Sequence, residues 1–488
     1  MRRFIVLLAG LFLALAVPAM AQSPRELVER AAKAMGSADA LRQLRNVTSE
    51  YSSVTYGLGQ EETPFAPAVA TSGMGRWVID HAHQRRLTLL ESRAAIASVP
   101  NTRQRVVYAN GVVVTETNGT AAPDLRGAAL AVQQRTMRTY PDRLVLSALD
   151  NPSALSPAAP RTWRREVLRG VHFALGSDTL DLYFDGTTGL PSLSVQFVDD
   201  PVLGDRTNVT AFARWTPSGA VKFPRQIDLL ANDRPVQQLT IQGAETNAAL
   251  ADSTFAVQAD VASRSSREVL PPAPIVVTLT DLTNGTWHVT GGSHNSLLVE
   301  QPKGLVLVEA PLGAGRVRAV LDTLASRFPG KPVQLVVVTH HHFDHSGGLR
   351  EVLARGIPVV IHERNAAFVE AVGKARKTIA PDRLSKGGRV VVRTLRDTRT
   401  IGAGASRVQL FALSSAHVAG LLAAYVPASQ VVFTSDVVNP QPLPAALPAP
   451  GSRELVAFGE QRGLPVRSYA GGHGRVVAWD ELQAAARP

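Results

Sequence analysis

At 488 residues the chain is too long for one typical hydrophobic core, and its 45% hydrophobic content can fill two. It has no cysteine, which excludes disulfides and a lipid-modified amino-terminal cysteine. The formal net charge of +11 is uneven: residues 22–270 hold 26 Lys and Arg against 25 Asp and Glu, and residues 271–488 hold 23 against 15. The basic excess, which draws anionic molecules from a distance, therefore belongs to the second half.

The first 21 residues read as a secretory signal: Arg2 and Arg3, an apolar core over 5–17, then Pro18-Ala19-Met20-Ala21. Cleavage is expected after Ala21. The apolar run is too short to span a bilayer and no later segment is long enough, so the expected product is periplasmic or secreted, with no retained membrane span.

Residues 23–45 read as a helix with Ser23 as N-cap, Pro24 at the first helical position and Glu26 three residues after the cap. After Arg45 the texture changes to short alternating runs at 77–80, 105–108, 111–115, 180–184 and 193–197, separated by turns such as Asp185-Gly186. A helical interlude is expected near 124–149. His81 and His83 lack the companions a metal would need and read as solvated strand positions, and His172 reads as an ordinary strand residue. The pattern of an opening helix and many strands resembles the curved half-barrels of periplasmic lipoprotein carriers, which implies an apolar groove for a ligand or partner. This β-rich domain is expected over 22–270, closed by the polar 262–267 and the Pro-rich 271–274.

In the second half, strands are expected at 275–279, 286–290, 296–299 and 305–309, then a helix over 313–328 with Val317, Val320, Leu321 and Leu324 on one face. The next apolar run ends at Val338 and opens into Thr339-His340-His341-His342-Phe343-Asp344-His345-Ser346-Gly347-Gly348. His340, His342, Asp344 and His345 put four imidazole or carboxylate ligands within six residues, the donors a borderline cation such as zinc accepts. His340 and His342, one residue apart, can point the same way from an extended loop, while Asp344 and His345 turn to a neighbouring ion.

This motif resembles the HxHxDH signature of the metallo-β-lactamase-fold hydrolases, and three later stretches are similar to the family's remaining ligands: His417 in Ser414-Ser415-Ala416-His417, Asp436 in Thr434-Ser435-Asp436, and His473 in Gly471-Gly472-His473-Gly474. The resemblance covers everything from residue 271 to the end. It implies an α+β chain whose C-terminal domain, 271–488, is an αββα sandwich. It further implies that His340, His342 and His417 hold one zinc, that Asp344, His345 and His473 hold the other, and that Asp436 bridges them. Manganese or iron are alternative metals. A hydroxide shared by the ions would be the nucleophile, with Asp344 orienting it and carrying its proton. Glu309 stands where the family usually has an early aspartate. Asp436 resembles the lactonase and thioesterase branches, so an ester, lactone or thioester is expected ahead of a β-lactam; a carrier protein with a vestigial metal site is the alternative of another class. His294 and Arg475 are expected to contact a small-molecule substrate, and His362 either to support the ligands from behind or to be structural. The stretch 374–399, with nine Lys or Arg against Asp382 and Asp397, reads as a solvated insertion; it lacks the interleaved aromatics of a nucleic-acid surface.

Overall fold

The computed structural model describes residues 22–94, 101–443 and 445–487, so the expected signal segment lies outside the described residues. The chain is mixed α+β. Ser23 caps helix Pro24–Met35 with both halves of a capping box. The single helix expected over 23–45 is interrupted: Gly36, at φ 139°, ends the first helix, and Ser37 caps a second, Ala38–Arg42. A side chain at Gly36 would place its Cβ 2.2 Å from the Ala220 carbonyl oxygen, so the break is also a close backbone crossing.

The remainder of the N-terminal half is one 14-stranded antiparallel sheet, joined in the middle where strand Asn46–Gly57 pairs with Arg234–Thr246. The expected interlude is two helices, Ala128–Thr139 and Pro141–Asp150, divided at Tyr140, which takes the extended conformation favoured before proline. Met35, Leu144 and Val145 from the helices pack with Leu182, Phe212 and Ile241 from the strands. His81 departs from expectation: it is buried, with Nε2 3.6 Å from Asp142, whereas His83 and His172 are exposed beside Asp80 and Asp181.

The C-terminal half contains a seven-stranded sheet, Thr278–Asp281 to Val392–Leu395, and a six-stranded sheet, Thr398–Ile401 to Val477–Ala478. Alternation of side chains sorts their residues into layers. Leu305, Leu307, Val336 and Val338 pack outward with Val317, Val352 and Phe368 of one helical layer. Val306, Val308, Leu335 and Val337 pack inward against Leu422, Ala424 and Phe433 of the facing sheet. Leu421, Tyr425 and Val432 pack outward with Leu455, Phe458 and Leu482 of the second helical layer. The result is helix, sheet, sheet, helix. The first strand begins only at Thr278, and Ile275 and Val276 are exposed.

The basic stretch is not simply solvated. Lys377 is buried, its ammonium paired with Asp199 and donating to the Asp200 carbonyl, and the Asp205 carboxylate accepts from Thr378 N at 2.7 Å and Ile379 N at 3.0 Å. A turn of the N-terminal sheet thus docks on this segment. Among the described residues, no helix is long and apolar enough to cross a membrane.

Arg350, 2% exposed, clasps Asp382 through Nε at 2.5 Å and Nη2 at 3.0 Å and donates to the Val372 carbonyl at 3.1 Å. Arg350→Met should cost about 3 kcal/mol in urea unfolding, the lower end for breaking a buried pair because the Asp382 side chain is 19% exposed. The double change with Asp382→Ala should cost less than the sum of the single changes. Additivity would mean that the pair is not coupled.

Candidate metal centre

Parallel strands end on the same side of their sheet, and this sets where the histidines gather. Val333–Val337 runs parallel to Gly304–Val308 and Val359–His362, and Val431–Thr434 runs parallel to Ser468–Gly471. The histidine motif, Asp436 and His473 each follow the carboxyl end of one of these strands, where α/β sheets open onto a crevice. A bond from Leu422 N to Thr339 O, 2.9 Å, ties the two sheets together at this end. His417 lies just before the strand beginning at Leu421. Gly348 lets the loop descend against the neighbouring helix: a Cβ there would meet Val317 Cγ2 at 2.0 Å.

His340 and His342 face a common centre. His341 between them packs on Phe368, ring centroids 5.9 Å apart, and burial takes its pKa down to about 3. All seven residues expected as ligands converge. His340, His342, His417 and Asp436 form one group and Asp344, His345 and His473, joined by His294, another; within each, the donor atoms lie within 4.8 Å of one another. Asp436 stands between the groups: Oδ2 is 3.4 Å from His340 Nε2, 2.8 Å from His345 Nε2 and 3.2 Å from His417 Nε2, and Oδ1 is 2.9 Å from His473 Nε2.

Four of the imidazoles engage the protein through the nitrogen that faces away. His340 Nδ1 pairs with Thr339 Oγ1 at 2.9 Å, His342 Nε2 with the Glu61 carbonyl at 2.9 Å, His345 Nδ1 with Glu309 Oε2 at 3.2 Å, and His473 Nδ1 with the Ser293 carbonyl at 3.3 Å. A carbonyl or carboxylate there holds the N–H outward and leaves a lone pair inward. The inward nitrogen is Nδ1 for His342 and Nε2 for the other three. Glu309 also accepts from Thr339 N at 3.0 Å, so it ties two parts of the motif loop. Asp344 Oδ1 accepts from Gln60 Nε2 at 2.9 Å, and its Oδ2 lies 3.1 Å from His294 Nε2. His294 Nδ1 is taken by Ser293 Oγ at 2.9 Å, and the Arg475 guanidinium is turned to Glu481. Gln60, Glu61 and Ser293 carry no motif; Glu61 and Ser293 reach the ligand histidines through a backbone carbonyl, which no side-chain pattern announces.

Burial works against an ionised Asp436, yet the imidazoles of His340, His345, His417 and His473 gathered around it hold its pKa far below the carboxylate range. Burial also disfavours charge on His345, but Glu309 and Asp436 raise its pKa to about 10; by contrast burial takes His342 down to about 4 and His340 well below its usual value. One imidazolium thus supplies the positive charge the carboxylates require. A divalent cation would supply it with every imidazole neutral. His340 Nε2, moreover, is buried without a hydrogen-bond partner, a costly state that a cation relieves. Imidazole and carboxylate donors in this arrangement fit a metal.

In chelator-stripped protein, the His345 pKa of about 10 against its ordinary 6.5 means stabilisation fully present below pH 6.5 and lost as pH rises through about 10. Denaturation at about pH 6 and about pH 10.5 should find the stripped protein weaker at the higher pH, and Glu309→Gln should shrink the difference. A flat profile would remove His345 as the charged partner.

The family model described as the metallo-beta-lactamase superfamily matches residues 289–476. The alpha subunit of 2,4-dinitroanisole O-demethylase from Nocardioides sp. is 26% identical over 195 residues, covering 38% of this chain and 54% of that protein. An (R)-specific secondary-alkylsulfatase from Pseudomonas sp is 39% identical over 59 residues, 12% of this chain and 9% of that one. A probable metallo-hydrolase of Bacillus subtilis is 34% identical over 76 residues, 15% and 28% of the two chains. The chain therefore spans about half the length of the demethylase subunit and less of the other two. Among solved structures, a metallo-beta-lactamase from Pontibacter korlensis has 19% identity and a TM-score of 0.35, covering 43% of this chain and 97% of that one. The metallo-beta-lactamase FIM-1 from Pseudomonas aeruginosa has 16% identity and a TM-score of 0.35, covering 44% and 95%. Residues 289–476 are a metallo-beta-lactamase-superfamily domain, and the C-terminal half of the chain has the fold of that superfamily's metallohydrolases.

Proposed function

We propose that the chain is an exported, dinuclear zinc hydrolase acting on an ester, lactone or thioester. The observation that carries this reading is Asp436, a single carboxylate within 3.4 Å of nitrogens from four imidazoles that belong to two adjoining donor groups. His340 Nε2, His342 Nδ1 and His417 Nε2 would hold one ion; Asp344, His345 Nε2 and His473 Nε2 would hold the other, with Asp436 reaching both. Bound there, the ions would make a water acidic near neutral pH and polarise the carbonyl under attack.

Asp344 is the chain's own acid–base group in this reading. Burial disfavours its ionised form, but the hydrogen bond from His294 keeps it a carboxylate, able to take the attacking water's proton and deliver it to the leaving group. His294, expected from sequence to meet substrate, is assigned instead to holding Asp344. Arg475 is committed to Glu481 and is assigned no role here. Asp436 rather than Ser435 stands among the imidazoles; the Ser435 hydroxyl is buried without a partner. Classical β-lactamases resemble one another in carrying Cys or Ser at the bridging position, so Asp436 supports the ester, lactone or thioester reading. The basic excess of this half suits a small anionic substrate, whereas the cavity of about 570 Å³ beside the loop leading to His417 is charge-balanced, with Arg364, Arg396 and Arg462 facing Glu363, Asp397 and Glu454. The division into an N-terminal domain at 22–270 and a hydrolase domain at 271–488 belongs to the same proposal, as does export, which rests on residues 1–21.

Elemental analysis after zinc addition should give about two zinc ions per chain, as six donors and a bridging carboxylate require. At most one ion would overturn the dinuclear reading. On a panel of carboxylic esters, lactones, thioesters, sulfate esters and β-lactams, turnover confined to β-lactams would overturn the substrate class.

In zinc-saturated protein, Asp436→Ser should lower turnover by more than Glu309→Gln, whose loss should stay within the roughly 10- to 100-fold typical of groups that orient ligands. Near-full turnover by Asp436→Ser with one zinc bound would show that Asp436 is not the bridge.

A further inference from the structure

The loop at 58–68, between strands Asn46–Gly57 and Val69–Asp80 of the N-terminal sheet, lies against the metal centre. Its backbone is held by two of the ligand loops at once: Phe343 N donates to the Gly59 carbonyl at 3.2 Å, and Ala419 N to the Glu62 carbonyl at 2.9 Å. Gly59, at φ 81°, packs on the Phe343 ring so closely that a Cβ would lie 2.5 Å from Phe343 Cγ. Between these anchors, the Glu61 carbonyl takes His342 Nε2 and the Gln60 amide donates to Asp344. The Glu61 side chain is buried at 2% exposure and paired with Arg234 Nη2 at 2.7 Å, and the same nitrogen donates to the Ala66 carbonyl at 2.9 Å. Arg234, at the start of strand Arg234–Thr246, therefore fastens the loop to its own sheet while the loop grips the histidines.

We propose that residues 59–62 are positioning residues of the metal centre, so that the site is completed by the N-terminal sheet rather than by the hydrolase fold alone. This rests on reading the centre as a metal site. His342 is the one imidazole among the four whose inward nitrogen is Nδ1, and its tautomer is set by Glu61, an acceptor outside the C-terminal half. With Nε2–H held by that carbonyl, Nδ1 keeps its lone pair inward, 3.0 Å from His417 Nε2. If the acceptor is withdrawn, the proton can occupy either nitrogen and the ring is free to turn. Asp344 is fixed from two sides, by Gln60 from the N-terminal sheet and by His294 from the sandwich, so losing Gln60 leaves its Oδ1 unheld. Arg234 acts at one remove: without it, the buried Glu61 carboxylate loses its partner and the backbone it carries shifts.

The test uses the full chain loaded with cobalt, whose visible spectrum reports ligand geometry, with cobalt affinity from chelator competition as a second readout. The variants are Gln60→Ala, which removes an exposed side chain and leaves folding intact, Arg234→Met, and Arg234→Lys as the conservative rescue. Wild type should bind two equivalents. Gln60→Ala should alter the cobalt spectrum, Arg234→Met should weaken cobalt binding by about 10- to 100-fold, and Arg234→Lys should recover part of that loss. In wild type, backbone amides at 59–62 should exchange hydrogen faster once cobalt is chelated. Spectra and affinities equal to wild type in all variants, with loop exchange indifferent to chelation, would overturn the positioning role and leave the metal reading standing. A wild type that binds no cobalt would overturn both. If Arg234→Met unfolds, Gln60→Ala and the exchange measurement decide alone.

Discussion

Carboxylates sealed among imidazoles need positive charge, and that requirement governs this end of the sandwich. At the strand ends Glu309 is buried and Asp436 mostly so, and both adopt left-handed backbone, φ 83° and 63°, which is uncommon for side chains larger than glycine. Such strain persists only where surrounding structure fixes the residue, and here the fixing groups are the histidines themselves. Glu309 bridges Thr339 N and His345, so the backbone entering the motif and an imidazole within it are tied to one carboxylate. The parallel strands supply the convergence, the tight turns supply the direction, and the charge requirement explains why Glu309 and Asp436 raise the pKa of His345 while burial lowers those of His340 and His342.

Much of this was legible in sequence because continuous apolar runs mark buried strands and most of the expected ligands sit just beyond one. The strand over 286–290 and the helix expected over 313–328 lie where the residues placed them, and the seven histidines and aspartates meet. The helical stretches were legible in kind but not in continuity, since breaks at Gly36 and Tyr140 depend on a close backbone crossing and on the residue after them. His81 was misread because its burial comes from Asp142, distant in sequence. The stretch 374–399 was misread for the same reason: its charge looked solvated, but Lys377 and Thr378 meet Asp199 and Asp205 of the other half. Composition gives the charge of a segment and not the location of its counter-charge.

Among the described residues, the two halves meet at Asp199–Asp205 and at Gly59–Glu62, contacts of different character. At Asp199–Asp205 ionic and polar contacts surround Val202, which packs into the core of the C-terminal half, and Gly204 is close enough to the Arg376 carbonyl that a Cβ would lie 2.0 Å from its oxygen. At Gly59–Glu62 the contact is mainly backbone hydrogen bonding, which is indifferent to most side-chain changes in the loop. The second kind of contact sets geometry closely without leaving a recognisable motif, which is why a family model confined to residues 289–476 contains the ligands and omits their N-terminal support.

The bond between the Glu61 carbonyl and His342 closes a loop of 281 residues, and that between Gln60 and Asp344 one of 284. Closing so long a segment has an entropic cost that is offset only after both sheets have formed around it. As the chain is made, the N-terminal loop must therefore wait, its carbonyls hydrated, until the histidine motif has emerged and been carried to the sheet end. The centre is assembled late in folding, from parts made early and parts made near the end of synthesis.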